Sequence, residues 1–401
     1  MFRNLTAVAL LLGAASAVLA VDKVHYQPRA AAKYQEFVAK KGDPIEGKIE
    51  KESSAGIEIK ILKSGKKVTI PADDVLVVEY DVGTGKVSDF RSPLFKLETA
   101  RTKTGNERTK ILTAEQEKLR KLHKDVAGYT DAQRYVEFKI AEIQVMLAQD
   151  DPNDVNKRNE AIKLMAAFAD KNGTAWTIVP ALKTLARLQE EAGRTDDARA
   201  TYEKLAGVNG APKELKRESN ILVGRLLLRG GKYEDAESRL SKLLEEMSDD
   251  EAQKPLVRAY LAEAKINQNK LSGVEKDLDG MIKGTSDGRL RGVAYNLLGD
   301  LYAKAGKTED AFWAYLRVDA LYNDDPDEQA KALYHLSELF TKIKKSDRAR
   351  AEDCARRLRD KRFAGSPYQK RLIAEKGDQD KDKEEAKKDD KDKDKKKDKK
   401  R

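Results

Sequence analysis

The sequence predicts a mainly α-helical protein, built of stacked helical hairpins and preceded by a small β module. Three observations lead to this fold class. Similar segments recur every 37 or 38 residues between 191 and 353, residues 43–82 alternate apolar and polar side chains, and residues 373–401 are almost entirely charged or polar. A fixed period of this size indicates a repeat architecture, alternation indicates strands, and dense charge indicates disorder.

The N-terminus has the pattern of a secretory signal peptide. Arg3 is followed by an uncharged apolar run from Leu5 to Val21, and the first acidic residue is Asp22. We predict that residues 1–20 are removed on export, which makes the mature protein periplasmic or extracellular and leaves no membrane span. The apolar run is marginal in length for a spanning helix. A leader that is not cleaved would instead anchor the protein in the membrane.

The predicted β module covers residues 43–82, where turn sequences separate GKIEKES, GIEIKILK, KKVTIP and VLVVEYDV. We expect three or four short antiparallel strands in a small curled sheet or barrel. The segment resembles SH3-like and Sm-like barrels, a resemblance that implies either peptide binding, nucleic-acid binding or packing alone. Residues 83–112 are predicted as a linker, with helix resuming near Thr113.

Five copies of a twelve-residue segment define the repeat, and they begin at Glu191, Arg229, Asn267, Lys304 and Lys342. Each copy contains a predicted turn between two helices. The turn residues expected in the left-handed conformation that ends a helix are Gly193, Gly231, Asn269 and Gly306. The residues expected to cap the following helix are Thr195, Thr308 and Ser346.

Small residues recur in the same register on both helices of each hairpin. On the first helices they are Ala186, Gly224, Ala262, Gly299 and Ser337, and twelve residues later come Ala198, Ala236, Val274, Ala311 and Ala349. Four residues further on, a large side chain follows in the first four copies, namely Tyr202, Leu240, Leu278 and Tyr315. This pattern predicts two helices in close contact, with the large side chains filling the space around the small ones.

One copy of the turn, Gly306-Lys307-Thr308, matches the end of a phosphate-binding loop. The full loop also requires a glycine where this chain has Leu301, and it requires a preceding strand where this chain has a helical pattern. We therefore interpret this motif as an interhelical turn.

The segments LKTLARLQEEAGRTDDARATYEKL and YNLLGDLYAKAGKTEDAFWAYLRV resemble tetratricopeptide (TPR) repeats. Both have a small residue after a leucine, a central alanine and an aromatic residue in the second helix. Clear copies cover about 179–325, a degenerate copy covers about 330–367, and an irregular pair covers about 130–172. We assign residues 113–372 to TPR-like repeats, although the period exceeds the usual 34 residues. The resemblance implies an α-solenoid whose groove binds peptides or protein partners and which rarely catalyses a reaction.

Residues suited to catalysis or metal binding are few and scattered. His25, His123 and His335 lie far apart in the sequence, without metal-ligand or triad spacing. Cys354 is the only cysteine, so no internal disulfide is possible, and we expect it to be a packing residue. We therefore expect no enzymatic activity, no cofactor and no metal.

The net charge of +10 lies mostly outside the predicted disordered tail, residues 373–401. From Glu375 to Arg401 the chain has 13 basic and 11 acidic residues, so this segment is nearly balanced. The excess of basic residues before this tail is compatible with an anionic partner, but it does not require one.

The predicted groove is the remaining candidate site. Its candidate residues on the first helices are Lys183, Arg187, Arg225, Arg229, Glu263, Asn267, Asn296, Asp300, Tyr334 and Glu338. Two interpretations remain open. Either a gradient from basic to acidic orients an extended peptide whose backbone the asparagines bind, or these are ordinary solvated side chains.

We predict a non-enzymatic, exported scaffold that binds a protein or peptide partner in the groove. The alternative is a binder of an anionic polymer, either nucleic acid or a cell-wall polymer, through the β module and the basic face. Neither the identity of the partner nor the oligomeric state follows from the sequence.

Overall fold

The computed structural model of the chain describes residues 21–82, 87–248 and 252–375. The predicted signal peptide, residues 1–20, lies outside this part, and so does the predicted disordered tail beyond residue 375. The chain divides into two compact units, Met1–Lys216 and Arg217–Arg401, and each is described by itself.

The N-terminal β module is a five-stranded antiparallel sheet. Its strands are β1 (Asp22–Tyr26), β2 (Ile45–Ser53), β3 (Gly56–Ile61), β4 (Lys67–Pro71) and β5 (Val75–Glu79). They pair in the order β4-β3-β2-β1-β5, so the first strand lies between the second and the fifth. The prediction of three or four strands starting at Asp43 missed β1, because the short segment DKVHY shows too little alternation to be recognised alone. Val24 and Ile45 of this sheet are fully buried.

Fifteen α-helices with defined bounds follow from Ala31 onward in the described residues. They are α1 (Ala31–Tyr34), α2 (Val87–Arg101), α3 (Gly105–Asp125), α4 (Thr130–Asp150), α5 (Val155–Lys171), α6 (Ile178–Glu191), α7 (Thr195–Ala206), α8 (Lys213–Arg229), α9 (Tyr233–Glu246), α10 (Lys254–Asn267), α11 (Val274–Gly284), α12 (Gly288–Lys304), α13 (Thr308–Leu321), α14 (Pro326–Leu339) and α15 (Arg348–Leu358). Residues 367–375 are also helical. Consecutive helices pack against one another from α2 to α7 in the first unit and from α9 to α15 in the second. The mainly helical fold class and the TPR-like stack of hairpins are confirmed.

The prediction of a linker over residues 83–112 was wrong, because α2 and most of the first half of α3 lie there. Pro93 lies inside α2, and the surrounding sequence is rich in Ser, Thr and Lys. Three apolar residues of this segment are nevertheless deeply buried: Leu94, Leu97 and Ala100 are at most 2% exposed, whereas Phe95 is 41% exposed. Tertiary packing of α2 on α3 therefore outweighs a weak local preference for helix.

The interhelical turns have the conformation that the repeat predicts. The backbone φ angles of Gly193, Gly231 and Gly306 are 71°, 70° and 73°, and Asn269 has a φ of 61°. Among the described residues, Asn269 is the only non-glycine with a positive φ. The left-handed turn is thus confirmed in four consecutive copies, and Gly306-Lys307-Thr308 is the turn between α12 and α13.

The predicted helix caps were wrong. Thr195 and Thr308 are the first helical residues of α7 and α13, and the residues before them make no side-chain cap bond. In the last copy Asp347, rather than Ser346, accepts a hydrogen bond from the backbone N–H of Arg350 at 3.0 Å. In the turns before α7 and α13, only one residue separates the left-handed glycine from the next helix.

Close helix contact at the small residues is confirmed. A Cβ added to Gly224 would lie 2.5 Å from the Leu240 side chain, and a Cβ on Gly299 would lie 2.5 Å from the ring of Tyr315. The last copy departs from the register, because Ala349 is exposed and Ala351 is buried in its place. Its connection, residues 340–347, is longer than the connection 305–307 of the preceding copy.

A buried polar network connects the β module to α4 within the first unit. The hydroxyl of Tyr80 donates to the Glu52 carboxylate, which also accepts from Arg134 at 3.2 Å. The indole N–H of Trp176 donates to the Tyr80 oxygen at 3.4 Å. Burial raises the pKa of Glu52 to about 7, and the nearby Asp131 carboxylate acts in the same direction.

This raised pKa predicts that the first unit loses stability as the pH rises. The folded carboxyl of Glu52 binds its proton more tightly than the unfolded one, so its stabilisation is complete below the unfolded pKa and is lost as the pH rises through about 7. We expect the wild type to lose about 3 kcal/mol between pH 5 and 8 that Glu52→Gln does not lose. Urea unfolding followed by Trp176 fluorescence, with Trp313→Phe in all variants, measures the difference.

Glu46→Gln is the matched control for this measurement, because Glu46 is an exposed carboxylate of the same sheet that pairs with Lys23 at 2.7 Å. We expect its pH dependence to follow the wild type. Equal pH dependence in the wild type and Glu52→Gln would contradict the assignment to Glu52.

Candidate partner-binding site

The candidate site in the second unit lies on neighbouring first helices of three hairpins. Helix α12 packs against both α10 and α14, in addition to the second helices. Side chains from one face of all three helices meet in a cluster that we call the acidic pocket, consisting of Glu263, Asn296, Asp300, Glu328 and Lys331. Three of the ten predicted groove residues, Glu263, Asn296 and Asp300, are among its members.

An ion pair lies at the centre of the acidic pocket. The ammonium of Lys331 on α14 donates to the Asp300 carboxylate on α12, which also accepts from the hydroxyl of Tyr315 at 2.6 Å. The side chains of Lys331 and Asp300 are 14% and 23% exposed. Burial alone would lower the pKa of Lys331, but the surrounding carboxylates, Asp300 first among them, raise it overall. The ammonium therefore stays charged at neutral pH.

The negative charges of the other two carboxylates of the acidic pocket, Glu263 and Glu328, are less well compensated by nearby positive charge. Burial raises the pKa of Glu263 and of Glu328 above the ordinary value for a glutamate, and Lys331 only partly offsets this. Like-charge repulsion acts in the same direction as burial: Asp300 and Glu328 raise the pKa of Glu263, and Asp325 and Asp300 raise the pKa of Glu328. The pocket thus holds three carboxylates and one ammonium in a half-buried setting.

Asn296 of the acidic pocket is fully buried. Its amide nitrogen donates to the backbone carbonyl of Glu328 at 2.9 Å and to the Glu328 carboxylate at 2.6 Å. Its amide oxygen, Oδ1, is buried and accepts no hydrogen bond within the described residues. A buried acceptor without a donor is uncommon in folded proteins and costs free energy.

Aromatic rings enclose one side of the acidic pocket. His335 stacks on Tyr315 with ring centroids 4.5 Å apart and an interplanar angle of 16°. Burial lowers the pKa of His335 to about 4, so the imidazole is neutral at neutral pH. Tyr315 is fully buried, which confirms the prediction that it fills the helix contact, whereas Trp313 two residues earlier is 56% exposed.

The remaining predicted groove residues of the second unit have other surroundings. Asn267 donates to the Glu263 carbonyl of its own helix, and Glu338 is exposed and pairs with Lys342 at 3.1 Å. Tyr334 is 2% exposed and donates to Glu375, so it packs under the C-terminal helical residues. Arg225 is half-buried and Arg229 is exposed on α8, and Arg229 slightly lowers the pKa of Glu263.

Lys183 and Arg187 belong to the first unit and are exposed on α6. Arg187 forms an ion pair of 3.7 Å with Glu191 on the same helix. A charge gradient along one groove, from these residues to the acidic pocket, stays a prediction.

The β module has a pocket of its own, with a cavity volume of about 500 Å³. The imidazole of His25 and the buried carboxylate of Glu79 lie 2.6 Å apart at this pocket. Its lining includes Lys23 and Lys63 together with the acidic residues Glu36, Asp43 and Glu46, so its charge is mixed.

The sequence analysis did not identify Glu328 and Lys331, and it assigned no site role to His335. The positions one repeat earlier are Leu290 and Val293, so the repeat register contains no signal for either charge. Only the packing of α12 on α14 brings Lys331 to Asp300.

No metal-binding group of three or more suitable side chains is present within residues 21–82, 87–248 and 252–375. No helix in the same ranges combines the length and apolar character needed to cross a membrane.

Neither a protein-family model nor a curated protein sequence matches the chain. Several solved structures are similar to it in fold. A tetratricopeptide repeat protein from Parabacteroides merdae has 17% sequence identity and a TM-score of 0.49, over 71% of this chain and 98% of that one. PilW, a type IV pilus biogenesis factor, has 13% identity and a TM-score of 0.40, over 58% and 98%. The APC/C hetero-tetramer Cut9-Hcn1 has 13% identity and a TM-score of 0.39, over 73% and 63%.

Proposed function

We propose that this chain is a non-enzymatic, exported scaffold that binds a protein or peptide partner on the exposed face of its first helices. The observation that carries the proposal is the acidic pocket, where charged side chains from α12 and α14 and a carboxylate from α10 converge. Half-buried charges with incomplete compensation lower the stability of a fold. Clusters with perturbed pKa values are a recurrent property of functional sites.

The helix arrangement supports binding of an extended partner segment. Because α12 lies between α10 and α14, their side chains form successive rows that a peptide can contact in order. The partly exposed Asn267 and the exposed Glu338 lie on the outer two of these helices. They provide polar contacts beside the pocket, as the rim of a protein interface does.

A hydrogen bond made by the backbone nitrogen of Val21 supports the proposal that the protein is exported and that residues 1–20 are removed. The backbone nitrogen of Val21 donates to the Asp81 carboxylate at 2.8 Å, and β1 begins at the next residue. Cleavage after Ala20 would place a positively charged α-amino group in the same position, where it would form a charge-assisted hydrogen bond with Asp81. N-terminal sequencing of the protein recovered from the cell envelope should begin at Val21.

Site-directed photo-crosslinking in living cells tests the binding proposal. We expect a crosslinkable amino acid at Asn267 or Glu338 to capture one defined protein, which mass spectrometry identifies. Lys283 on α11 and Glu309 on α13 are exposed positions on second helices and serve as controls. The captured protein, once purified, should bind the wild type directly. Equal capture from all four positions, or capture from none, would count against the proposal.

The alternative, a binder of an anionic polymer, stays a prediction. The pocket of the β module carries both signs of charge and so supplies no specific support for it. Binding of nucleic acid or of a wall polymer that weakens steeply with rising salt would favour this alternative.

A further inference from the structure

A cavity of about 450 Å³ lies in the second unit where α9, α10 and α11 meet. We call it the α9–α11 cavity. Its volume is within the usual range of binding pockets in proteins. Both α9 and α11 pack against α10, and each of the three helices contributes to the apolar part of the wall. The apolar side chains of the wall are Leu244, Leu261, Ala262 and Met281.

Gly280 of α11 keeps one side of the α9–α11 cavity open. It lines the cavity, it is exposed, and no atom lies within 4 Å of a Cβ added to it. Gly224 and Gly299 differ in this respect, because a Cβ added to either would lie 2.5 Å from a side chain of the next helix. Gly280 therefore leaves free space instead of admitting a neighbouring helix, and a side chain of a partner can occupy that space.

Three basic side chains also line the α9–α11 cavity, and we call them the three cations. Arg258 and Lys265 lie on α10, and Lys276 lies on α11. Within the part of the chain that the structure describes, none of the three forms a hydrogen bond or an ion pair. Asp277 is the one acidic residue of the lining, so positive charge predominates at this cavity.

The acidic residue nearest to a partner for Lys265 is already engaged. Lys265 acts on the carboxylate of Glu237 only weakly, because Glu237 pairs directly with Lys270 at 2.7 Å and accepts from Gln268 at 2.8 Å. The positive charge at the α9–α11 cavity is therefore available to an anionic ligand.

The spacing of the three cations indicates what kind of anionic ligand fits. Arg258 and Lys265 are seven residues apart on α10, which places them on one side of the helix and about 10 Å apart, with Leu261 between them. Lys276 lies on the neighbouring helix. A small molecule with a single anionic group would pair with only part of this set. A peptide segment with acidic residues on both sides of an apolar residue matches both the charges and the apolar wall.

The charged C-terminus of the chain itself does not have this pattern. From Lys376 to Arg401 it contains many acidic residues, but Ala386 is its only apolar side chain, and basic residues are interspersed throughout. The matching segment must therefore belong to another protein.

We propose that the α9–α11 cavity binds an acidic segment of a protein partner. An apolar side chain of this segment fills the space beside Gly280, and carboxylates on either side of it pair with the three cations. An apolar anchor in a pocket with charged contacts around it is a common arrangement at protein interfaces.

This site is separate from the acidic pocket and goes beyond the proposed function. Leu261 and Glu263 are two residues apart on α10, so their side chains point about 200° apart around the helix. The α9–α11 cavity thus lies on a different face of α10 from Glu263, and its net charge has the opposite sign.

Selection from a library of random peptides displayed on phage tests the cavity without a known partner. The full chain and the variant Arg258→Gln/Lys265→Gln/Lys276→Gln are each exposed to the library, and the retained sequences are compared. We expect the wild type, but not the variant, to enrich peptides in which an apolar residue lies between acidic residues. The control variant Lys342→Gln/Lys344→Gln/Lys345→Gln removes three exposed lysines of the same unit and should enrich the same peptides as the wild type.

Filling the cavity is a second test that leaves every charge in place. Gly280→Met should bind a selected peptide about tenfold more weakly than the wild type in fluorescence anisotropy, because the methionine occupies the space of the apolar anchor. The helix accommodates this change, since an added Cβ has no atom within 4 Å. Ala349→Met adds the same side chain at an exposed position of α15 and should bind the peptide as the wild type does.

Three results would overturn the inference. They are failure of the wild type to enrich any peptide, enrichment of the same peptides by the wild type and the variant without the three cations, and equal affinity of the wild type and Gly280→Met for a selected peptide.

The outcomes are also distinguishable from those of the proposed function. Crosslinking at Asn267 and Glu338 tests the face of the first helices, and peptide selection tests the α9–α11 cavity. Enrichment of cavity-dependent peptides, together with no capture at Asn267 and Glu338, would support this inference and contradict the proposed site. Capture at those two positions without cavity-dependent peptides would do the reverse.

Discussion

Replacing Gly299 with alanine is expected to lower the free energy of unfolding of the second unit by about 2 kcal/mol. The new Cβ would lie 2.5 to 2.8 Å from three ring atoms of Tyr315. That ring cannot easily move, because it is fully buried, stacks on His335 and donates a hydrogen bond to Asp300. The cost of overpacking, about 3 kcal/mol, exceeds the gain of about 1 kcal/mol from placing alanine inside a helix.

Gly280→Ala is the matched control, since Gly280 is an exposed residue of α11 with no atom within 4 Å of an added Cβ. Here only the helix preference remains, and we expect a gain in stability of about 0.5–1 kcal/mol. Urea unfolding, read by hydrogen–deuterium exchange of peptides from 217–375, measures both variants. A stabilising effect of Gly299→Ala would refute the close contact between α12 and α13.

Replacing Lys331 with methionine is expected to destabilise the second unit by about 3 kcal/mol at pH 7. The substitution keeps most of the packing of the side chain but removes the only ammonium of the acidic pocket. Asp300 then loses its buried partner, and the repulsion among the carboxylates of Glu263, Asp300 and Glu328 is no longer offset.

The effect of Lys331→Met should depend on pH with a definite sign. The pKa values of Glu263 and Glu328 are already raised in the wild type, and loss of the ammonium raises them further. The folded variant then binds protons more tightly than the unfolded chain, so its stability falls as the pH rises. The deficit relative to the wild type should therefore be largest at pH 7 and should shrink toward pH 4.

Lys342→Met provides the control, because Lys342 pairs with Glu338 in a largely exposed ion pair of the same repeat. We expect a change within about 0.5 kcal/mol at either pH. Equal effects of Lys331→Met and Lys342→Met on the free energy of unfolding would show that the Lys331 ammonium does not offset repulsion among the carboxylates of the acidic pocket.

The repeat register was sufficient to predict the turns and the closest helix contacts. A left-handed turn residue and a small residue facing a large one are local requirements, and they recur in each copy at nearly the same spacing. Gly193, Gly231, Asn269 and Gly306 were therefore identifiable from the sequence, as were the partners Gly299 and Tyr315. The register failed in the last copy, where the longer connection moves Ala351 into the position expected for Ala349.

The sequence by itself determined the class of the protein: a small β module followed by helical hairpins, with glycine or asparagine at the turns. The repeat period and the apolar–polar alternation reflect backbone and burial preferences of neighbouring residues, and such preferences can be recognised from the sequence. Only the tertiary structure decided that residues 87–101 are helical and that β1 completes the sheet. It also decided which charged side chains lie close together. Glu263, Asp300 and Lys331 lie on different helices, and their spacing in the sequence does not predict that they are neighbours. The contacts between these side chains depend on how the helices pack. The same packing buries polar groups that, from the sequence alone, are expected to be exposed.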